Sequence, residues 1–142
     1  MDVVGVVIMV IRKSSSGAEL LFLQRSGGKY EGQWWPVAGT CEAGENPVET
    51  VIRELREEVA LIPQSLYPLG LTVPHVDGHS RLEGYVAYVE ADAQVALNYE
   101  HSSFKWQSVE EALEIAPDPD FIRYVEREFM LVDQPKGNAI EF

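Results

Sequence analysis

The chain has 142 residues, 46% of them hydrophobic, which suits a single globular domain spanning residues 1–142 with a substantial core. It carries 23 acidic and 11 basic side chains, for a formal charge of −12. This acidity argues against nucleic-acid binding and against docking on anionic membranes, because both need Lys and Arg to neutralise phosphate. The single cysteine, Cys41, excludes an internal disulfide and a multi-cysteine zinc site.

We expect no targeting signal at the beginning of this sequence. Met1-Asp2 lacks a basic leader region, and the apolar run Val3–Ile11 is too short to cross a bilayer. We therefore expect a cytoplasmic protein.

Taken in chain order, the first elements are strands. The continuous β-branched run Val3–Ile11 predicts a strand that is buried on both faces. Glu19–Arg25 predicts a second strand that pairs with the first as a hairpin. After a polar loop, Trp34–Thr40 is short and extended, and Pro36 marks an edge or an irregularity within it.

A helix follows. Asn46 is suited to the N-cap, Pro47 to the first helical position and Glu49 to the third. Pro63 prevents its continuation. Helical spacing predicts an apolar buried face made of Val48, Val51, Ile52, Leu55 and Val59.

The second half of the chain predicts more strands and then helices. Leu66–Val76 and Arg81–Glu90 indicate strands, and Asp77-Gly78 between them indicates a tight hairpin. A short strand is expected at Phe104–Gln107. A capping box then opens a short helix at Ser108, which Pro117 ends.

The last predicted element is a helix capped by Asp118-Pro119, with Phe121, Tyr124, Val125 and Phe129 as its packing stripe. A strand buried on both faces needs helices on both sides of its sheet. The order of elements therefore predicts an α/β fold, an α/β/α sandwich with a mixed β-sheet.

The residues that indicate chemistry lie on the first helix. Glu54, Glu57 and Glu58 stand at i, i+3 and i+4, so their carboxylates share one face and repel one another. A hard divalent cation would relieve that repulsion. Taken alone, the triplet is more often a solvated acidic face. Because the opposite face is apolar, we expect the acidic face to point away from the core, with Arg53 able to hold Glu57.

The segment GTCEAGENPVETVIRELREEVAL, residues 39–61, resembles the Nudix box, Gly-x5-Glu-x7-Arg-Glu-U-x-Glu-Glu-x-Gly-U, where U is bulky and aliphatic. Ala60 departs from this pattern, because the family usually has a glycine there that ends the helix in a left-handed conformation. An alanine would cost about 1 kcal/mol in that conformation, unless the helix ends differently. The matching residues are Gly39, Glu45, Arg53, Glu54, Leu55, Glu57, Glu58 and Leu61.

The resemblance implies a Nudix fold and a role for each matching residue. Glu54, Glu57 and Glu58 would bind the metal together with the backbone carbonyl of Gly39. The metal would be Mg²⁺, with Mn²⁺ able to substitute. Glu45 and Arg53 would brace the loop and the helix. Water would attack phosphorus while the metal orients the phosphates, and the expected catalytic residues include Glu54, Glu57 and Arg53.

Outside the box the resemblance is weaker. Arg25 would reach a phosphate, although a solvated arginine at a strand end is an equal alternative. Glu100 matches a family position for a further ligand or general base, with a surface loop glutamate as the alternative. Trp34 would bind substrate by stacking on a base, as would Tyr30 or Trp35, but buried aromatics are commoner.

Two segments, Trp34-x-x-Val37-x-Gly39 and Glu100-His101-x-x-Phe104-Lys105-Trp106, are similar to the dihydroneopterin triphosphate (dATP) pyrophosphohydrolase branch. The Glu-His…Trp pattern also occurs in diadenosine tetraphosphate hydrolases, so it does not choose between the two. The short hairpin at Asp77-Gly78 departs from the pterin branch, which carries a longer insertion. His75 and His79, which flank that turn, are more often inert than a metal pair.

The expected function is Mg²⁺-dependent hydrolysis of a phosphoanhydride bond in a nucleoside di- or triphosphate derivative, with a (d)NTP-type substrate. A diadenosine polyphosphate hydrolase and a non-catalytic Nudix-fold module that binds a nucleotide or a protein partner are the alternatives. The three carboxylates and Arg53 favour the enzyme. A monomer and a homodimer are both consistent with the sequence.

Overall fold

A computed structural model of the chain describes residues 2–14, 17–75, 77–116, 118–131, 135 and 137–142. The strands are β1 (Val3–Ser14), β2 (Gly17–Arg25), β3 (Trp34–Trp35), β4 (Val37–Thr40), β5 (Ser65–Pro74), β6 (Arg81–Val89) and β7 (His101–Gln107). The helices are α1 (Pro47–Glu54), which continues into a π-helical turn (Leu55–Val59), α2 (Val109–Ile115), and α3 (Pro119–Val125), which continues into a second π-helical turn (Glu126–Met130).

The strands form one mixed sheet with β1 at its centre. The order is β3-β2-β1-β6-β5, with β4 paired to β1 and β7 paired to β2. β1 runs parallel to β6 and antiparallel to β2, which confirms the predicted first hairpin. Pro36 interrupts the extended segment and separates β3 from β4.

The core lies on both faces of the sheet, because β1 alternates its side chains between two apolar layers. One layer contains Val7, Met9 and Ile11 together with residues of α2 and α3. The other contains Val6, Ile8 and Val10 together with Val51, Leu55 and Val59 from the first helix. The predicted α/β/α sandwich with a mixed sheet is therefore confirmed.

The start of α1 is as predicted. The Asn46 side chain accepts a hydrogen bond from the Glu49 backbone N–H at 2.9 Å, and the Glu49 side chain accepts one from the Asn46 N–H at 3.0 Å.

The end of the helix shows how the chain accommodates the alanine of the Nudix box. Ala60 takes the left-handed conformation, with φ 57° and ψ 38°. The helix therefore ends in the left-handed conformation that a glycine would adopt, although an alanine disfavours this conformation.

Two sequence predictions differ from the structure. β5 ends at Pro74 and β6 begins at Arg81, so the two strands pair antiparallel as the predicted hairpin, but the loop that connects them is longer than the expected tight turn. Asp77 instead stabilises a longer loop by accepting hydrogen bonds from the backbone N–H groups of His79 and Ser80. β7 begins at His101, earlier than predicted.

Two predictions fall outside the described residues: the strand end at Val76 and the helix stop at Pro117. Within the described ranges, no helix has both the length and the apolar character needed to cross a membrane.

Candidate active site

A cavity of about 440 Å³ opens where α1, β4 and the segment before β7 meet. Its size falls within the range of small-molecule sites. Most of the predicted site residues line it, although they come from distant parts of the chain: Arg25, Gly39, Arg53, Glu54, Glu57, Glu58 and Glu100.

Arg53 connects the carboxylates on one side of this cavity. Its Nη1 donates to Glu54 at 2.8 Å and to Glu57 at 3.2 Å, as the sequence suggested for Glu57. Its Nη2 donates to the backbone oxygen of Thr40 at 3.0 Å, which ties α1 to the end of β4. A planar guanidinium offers five N–H donors on three nitrogens, whereas a lysine ammonium offers three on one nitrogen and could not span these acceptors.

Glu45 joins the loop before α1 to the helix. Its carboxylate accepts from Nε and Nη2 of Arg53 at 2.8 and 3.0 Å, and from the hydroxyl of Thr50 at 2.6 Å. It also accepts from the Glu42 backbone N–H at 3.0 Å. The hydrogen bonds from Arg53 and then Thr50 lower the pKa of Glu45 to about 2. These hydrogen bonds are the contacts expected of the bracing role that the resemblance implies for Glu45 and Arg53.

Glu54 and Glu58 are buried although all three glutamates line the cavity, so the acidic face is not the fully solvated surface that was the alternative interpretation. The Glu57 side chain alone of the three is half exposed, at 51%. Burial raises the pKa of Glu54, against the opposing charge of Arg53. Burial and the neighbouring Glu54 carboxylate raise the pKa of Glu58 to about 9. Two buried acids side by side favour a shared proton or a bound cation.

Gly39 lies directly against Glu54. A Cβ at position 39 would overlap the Glu54 carboxyl group, so only glycine allows the strand and the helix carboxylate to approach so closely. A side chain at position 39 would therefore displace the Glu54 carboxyl group, whatever the role of the Gly39 carbonyl.

The opposite end of the site is formed by Arg25 and by the residues around the start of β7. The Glu100 backbone oxygen accepts from the Ser26 N–H at 2.9 Å, and the Glu100 N–H donates to the Asn98 side chain at 3.1 Å. Nε of Arg25 is buried and has no hydrogen-bond partner in the described part of the chain. Arg25 therefore keeps donor capacity for an anion.

The aromatic residues divide between the two faces of the sheet. Trp35 and Tyr30 line the cavity. Trp34, the predicted stacking residue, packs against the apolar layer on the α2 and α3 side, and Nζ of Lys105 lies 4.4 Å from the centre of its ring. The structure thus brings Trp35, and not Trp34, to the cavity, because neighbours on a strand point to opposite faces.

Sequence reasoning assigned no site role to several residues that the fold places here. Asn98 and His75 also line the cavity, and no local pattern marks either of them. His101 is buried beside Glu58, with Nε2 3.8 Å from Oε1. Burial and the charge of Arg25 lower the pKa of His101 to about 4. The Glu100-His101 pair was visible in the sequence as part of the resemblance.

The donor set fits a divalent cation. Oε2 of Glu58 is buried with no hydrogen-bond partner among the described residues, and a buried carboxylate oxygen without a partner is costly. Carboxylate and carbonyl oxygens are the ligands that Mg²⁺ prefers. Glu54, Glu57 and Glu58 with the carbonyl of Gly39 would hold the ion.

The family model for the NUDIX domain matches residues 1–129. The chain therefore belongs to the Nudix hydrolase family, whose members act on phosphoanhydrides and generally use divalent metals. This confirms the resemblance read from residues 39–61.

Two curated relatives are similar over most of this chain. A Mus musculus asymmetrical bis(5'-nucleosyl)-tetraphosphatase is 29% identical over 121 residues, 76% of this chain and 76% of that protein. A Myxococcus xanthus octanoyltransferase is 33% identical over 117 residues, 78% of this chain but 32% of that protein. The chain thus spans about a third of the length of the octanoyltransferase.

Two solved structures share the fold. A C. elegans Ap4A hydrolase binary complex superposes with a TM-score of 0.72 and 24% identity, covering 86% of this chain and 92% of that one. The E. coli dihydroneopterin triphosphate pyrophosphohydrolase gives 0.65 and 21%, covering 92% and 99%. At these identities the likeness establishes the fold, and the substrate has to be argued from the site.

Proposed function

We propose that this protein is a Mg²⁺-dependent pyrophosphohydrolase that cleaves a phosphoanhydride bond of a nucleoside polyphosphate, with a (d)NTP as the expected substrate. The observation that carries the proposal is the buried, unpartnered carboxylate oxygen of Glu58 beside Glu54, in a cavity that also contains Arg25. Acidic groups for a cation and a guanidinium for phosphate face one space, which suits a metal–polyphosphate substrate.

Each residue contributes a separate part of the reaction. A bound Mg²⁺ would neutralise the phosphate oxygens and offset the charge that develops as the bond breaks. Arg25 binds a phosphate oxygen through its free donor. Glu100 accepts a proton from the attacking water, whose oxygen bonds to phosphorus as the bridging P–O bond breaks. Arg53 and Glu45 keep the helix carboxylates in place, so that no reorganisation is needed during turnover.

The test measures hydrolysis of a substrate panel with Mg²⁺: canonical and oxidised (d)NTPs, dihydroneopterin triphosphate, diadenosine polyphosphates, ADP-ribose and nucleotide sugars. Glu57→Gln should lower kcat by at least about a hundredfold. Glu110→Gln, an exposed glutamate on α2, is the matched control and should be unchanged. Turnover of a (d)NTP to the monophosphate and pyrophosphate supports the proposal. A folded, Mg²⁺-binding protein that hydrolyses nothing in the panel supports the non-catalytic module instead.

A second candidate substrate is favoured by the curated relatives. Several of them are asymmetrical bis(5'-nucleosyl)-tetraphosphatases that match over about three quarters of both chains. The two candidates differ in products, because asymmetric cleavage of Ap4A yields ATP and AMP whereas dATP yields dAMP and pyrophosphate. Reaction in H₂¹⁸O then identifies the phosphorus that water attacks, since only one product carries the label. A kcat/KM for Ap4A above that for every (d)NTP would establish the second candidate.

A further inference from the structure

A second group of potential ligands lies around Glu58 and the start of β7. Glu58, Glu100 and His101 each offer a ligand atom, and these atoms all lie within 4.8 Å of one another. Nε2 of His101 is 3.8 Å from Oε1 of Glu58, too far for a hydrogen bond. The imidazole is therefore next to the carboxylate without being bonded to it.

Both members of this closest pair are buried with polar atoms that have no partner. The side chains of His101 and Glu58 are 4% and 3% exposed. Nδ1 of His101 and Oε2 of Glu58 have no hydrogen-bond partner in the ranges that the structure describes. A folded protein rarely leaves buried polar atoms unsatisfied on two neighbouring side chains, because each unmet group is costly.

We infer that His101 is a nitrogen ligand of a divalent cation that is shared with Glu58, and that this position selects Mn²⁺ or another transition metal over Mg²⁺. Because it shares Glu58 with the proposed active site, the inference rests on the proposed function. It adds a ligand and a metal preference that the helix carboxylates do not imply. Mg²⁺ prefers an all-oxygen set, whereas imidazole nitrogen suits the later divalent metals.

The separations fit a shared ion. Two donor atoms that are each about 2.1 Å from one cation can be at most about 4.2 Å apart. The distance between Nε2 of His101 and Oε1 of Glu58 is inside that limit. The carboxylate of Glu100 lies within 4.8 Å of the other two ligand atoms, so the base of the proposed reaction would be next to the ion.

The experiment loads the purified chain with Mn²⁺ without substrate and records electron spin echo envelope modulation, which detects ¹⁴N coupling from a bound imidazole. The wild type should show this coupling, and His101→Gln should lose it. His79→Gln is the matched control, because His79 is an exposed loop histidine, and it should keep the coupling. His75→Gln should also keep it, although His75 lines the same cavity.

Titration of the same proteins gives a second readout. The ratio of Mn²⁺ to Mg²⁺ affinity should fall about tenfold in His101→Gln, with Mg²⁺ binding unchanged. Absence of nitrogen coupling in the fully loaded wild type overturns the inference, and so does coupling that persists in His101→Gln. The wild-type spectrum alone tests whether a nitrogen ligand is present, even if His101→Gln does not fold. Nitrogen coupling in a protein without turnover would overturn the proposed function and leave the metal site standing.

Discussion

Arg53 of α1 and Glu45 of the loop before this helix form an ion pair with two hydrogen bonds. Nε and Nη2 of Arg53 lie 2.8 and 3.0 Å from the two carboxylate oxygens of Glu45. The same guanidinium contacts Glu54 and Glu57, so the position of these proposed ligands depends on a pair that does not itself need to touch the substrate.

Arg53→Lys should therefore lower kcat by about a hundredfold, because an ammonium cannot replace the planar fork and a small displacement of positioned groups has that effect. Steady-state kinetics with Mg²⁺ and the best substrate measure it. The control is Arg56→Lys on the exposed face of the same helix, which should change kcat less than twofold. Equal activity of Arg53→Lys and the wild type would show that the network is not needed for positioning.

The metal-free protein should lose stability as pH rises from about 4.5 to about 9. Burial raises the pKa of Glu58 from 4.5 to about 9, so the folded state favours the protonated acid. Its contribution is fully present below pH 4.5 and is lost as pH approaches the folded value. Urea unfolding in EDTA across this range measures the free energy.

Glu58→Gln provides the comparison for that pH series, because it keeps the shape of the side chain without the titration. The metal-free variant should show a flatter stability profile and should be more stable than the wild type near pH 9. Saturating Mn²⁺ should stabilise the wild type and have little effect on the variant. A wild-type profile parallel to that of Glu58→Gln would contradict the burial argument.

Ala60→Gly should stabilise the protein by about 1 kcal/mol, because Ala60 holds φ at 57° and glycine adopts this conformation without the Cβ penalty. Denaturant unfolding measures the change, and kcat should not move. Ala116→Gly is the control with the opposite sign, since Ala116 has φ −74° and glycine there only adds chain entropy to the unfolded state. A destabilised Ala60→Gly would contradict the account of the helix end.

Trp35→Leu should raise KM about tenfold with little change in kcat, because stacking on a base is worth about 1–3 kcal/mol. Trp35 lines the cavity, whereas Trp34 packs on the other face of the sheet. Trp34→Leu should therefore lower the unfolding free energy and leave KM unchanged. The reverse pattern of KM values would restore the sequence-based assignment to Trp34.

Sequence patterns predicted the elements well where the structure depends on contacts between residues close together in the chain. The N-cap at Asn46 and the capping box at Ser108 depend on residues three positions apart, and both form as expected. The connection after β5 was mispredicted because Asp77-Gly78 is a turn signal in many loop lengths. Here the side chain of Asp77 organises a longer loop.

The sequence by itself determined the family, the α/β/α sandwich and the helix that bears Glu54, Glu57 and Glu58, because motif spacing and hydrophobic periodicity are properties of contiguous residues. Only the tertiary structure decided which of those carboxylates are buried, that Trp35 rather than Trp34 reaches the cavity, and that His101 lies beside Glu58. These outcomes depend on contacts between separate segments, twelve residues apart for the paired Leu23 and Trp35 and forty-three for Glu58 and His101, and on the face to which each side chain points. A one-residue change of register would reverse that face, and no local pattern records it.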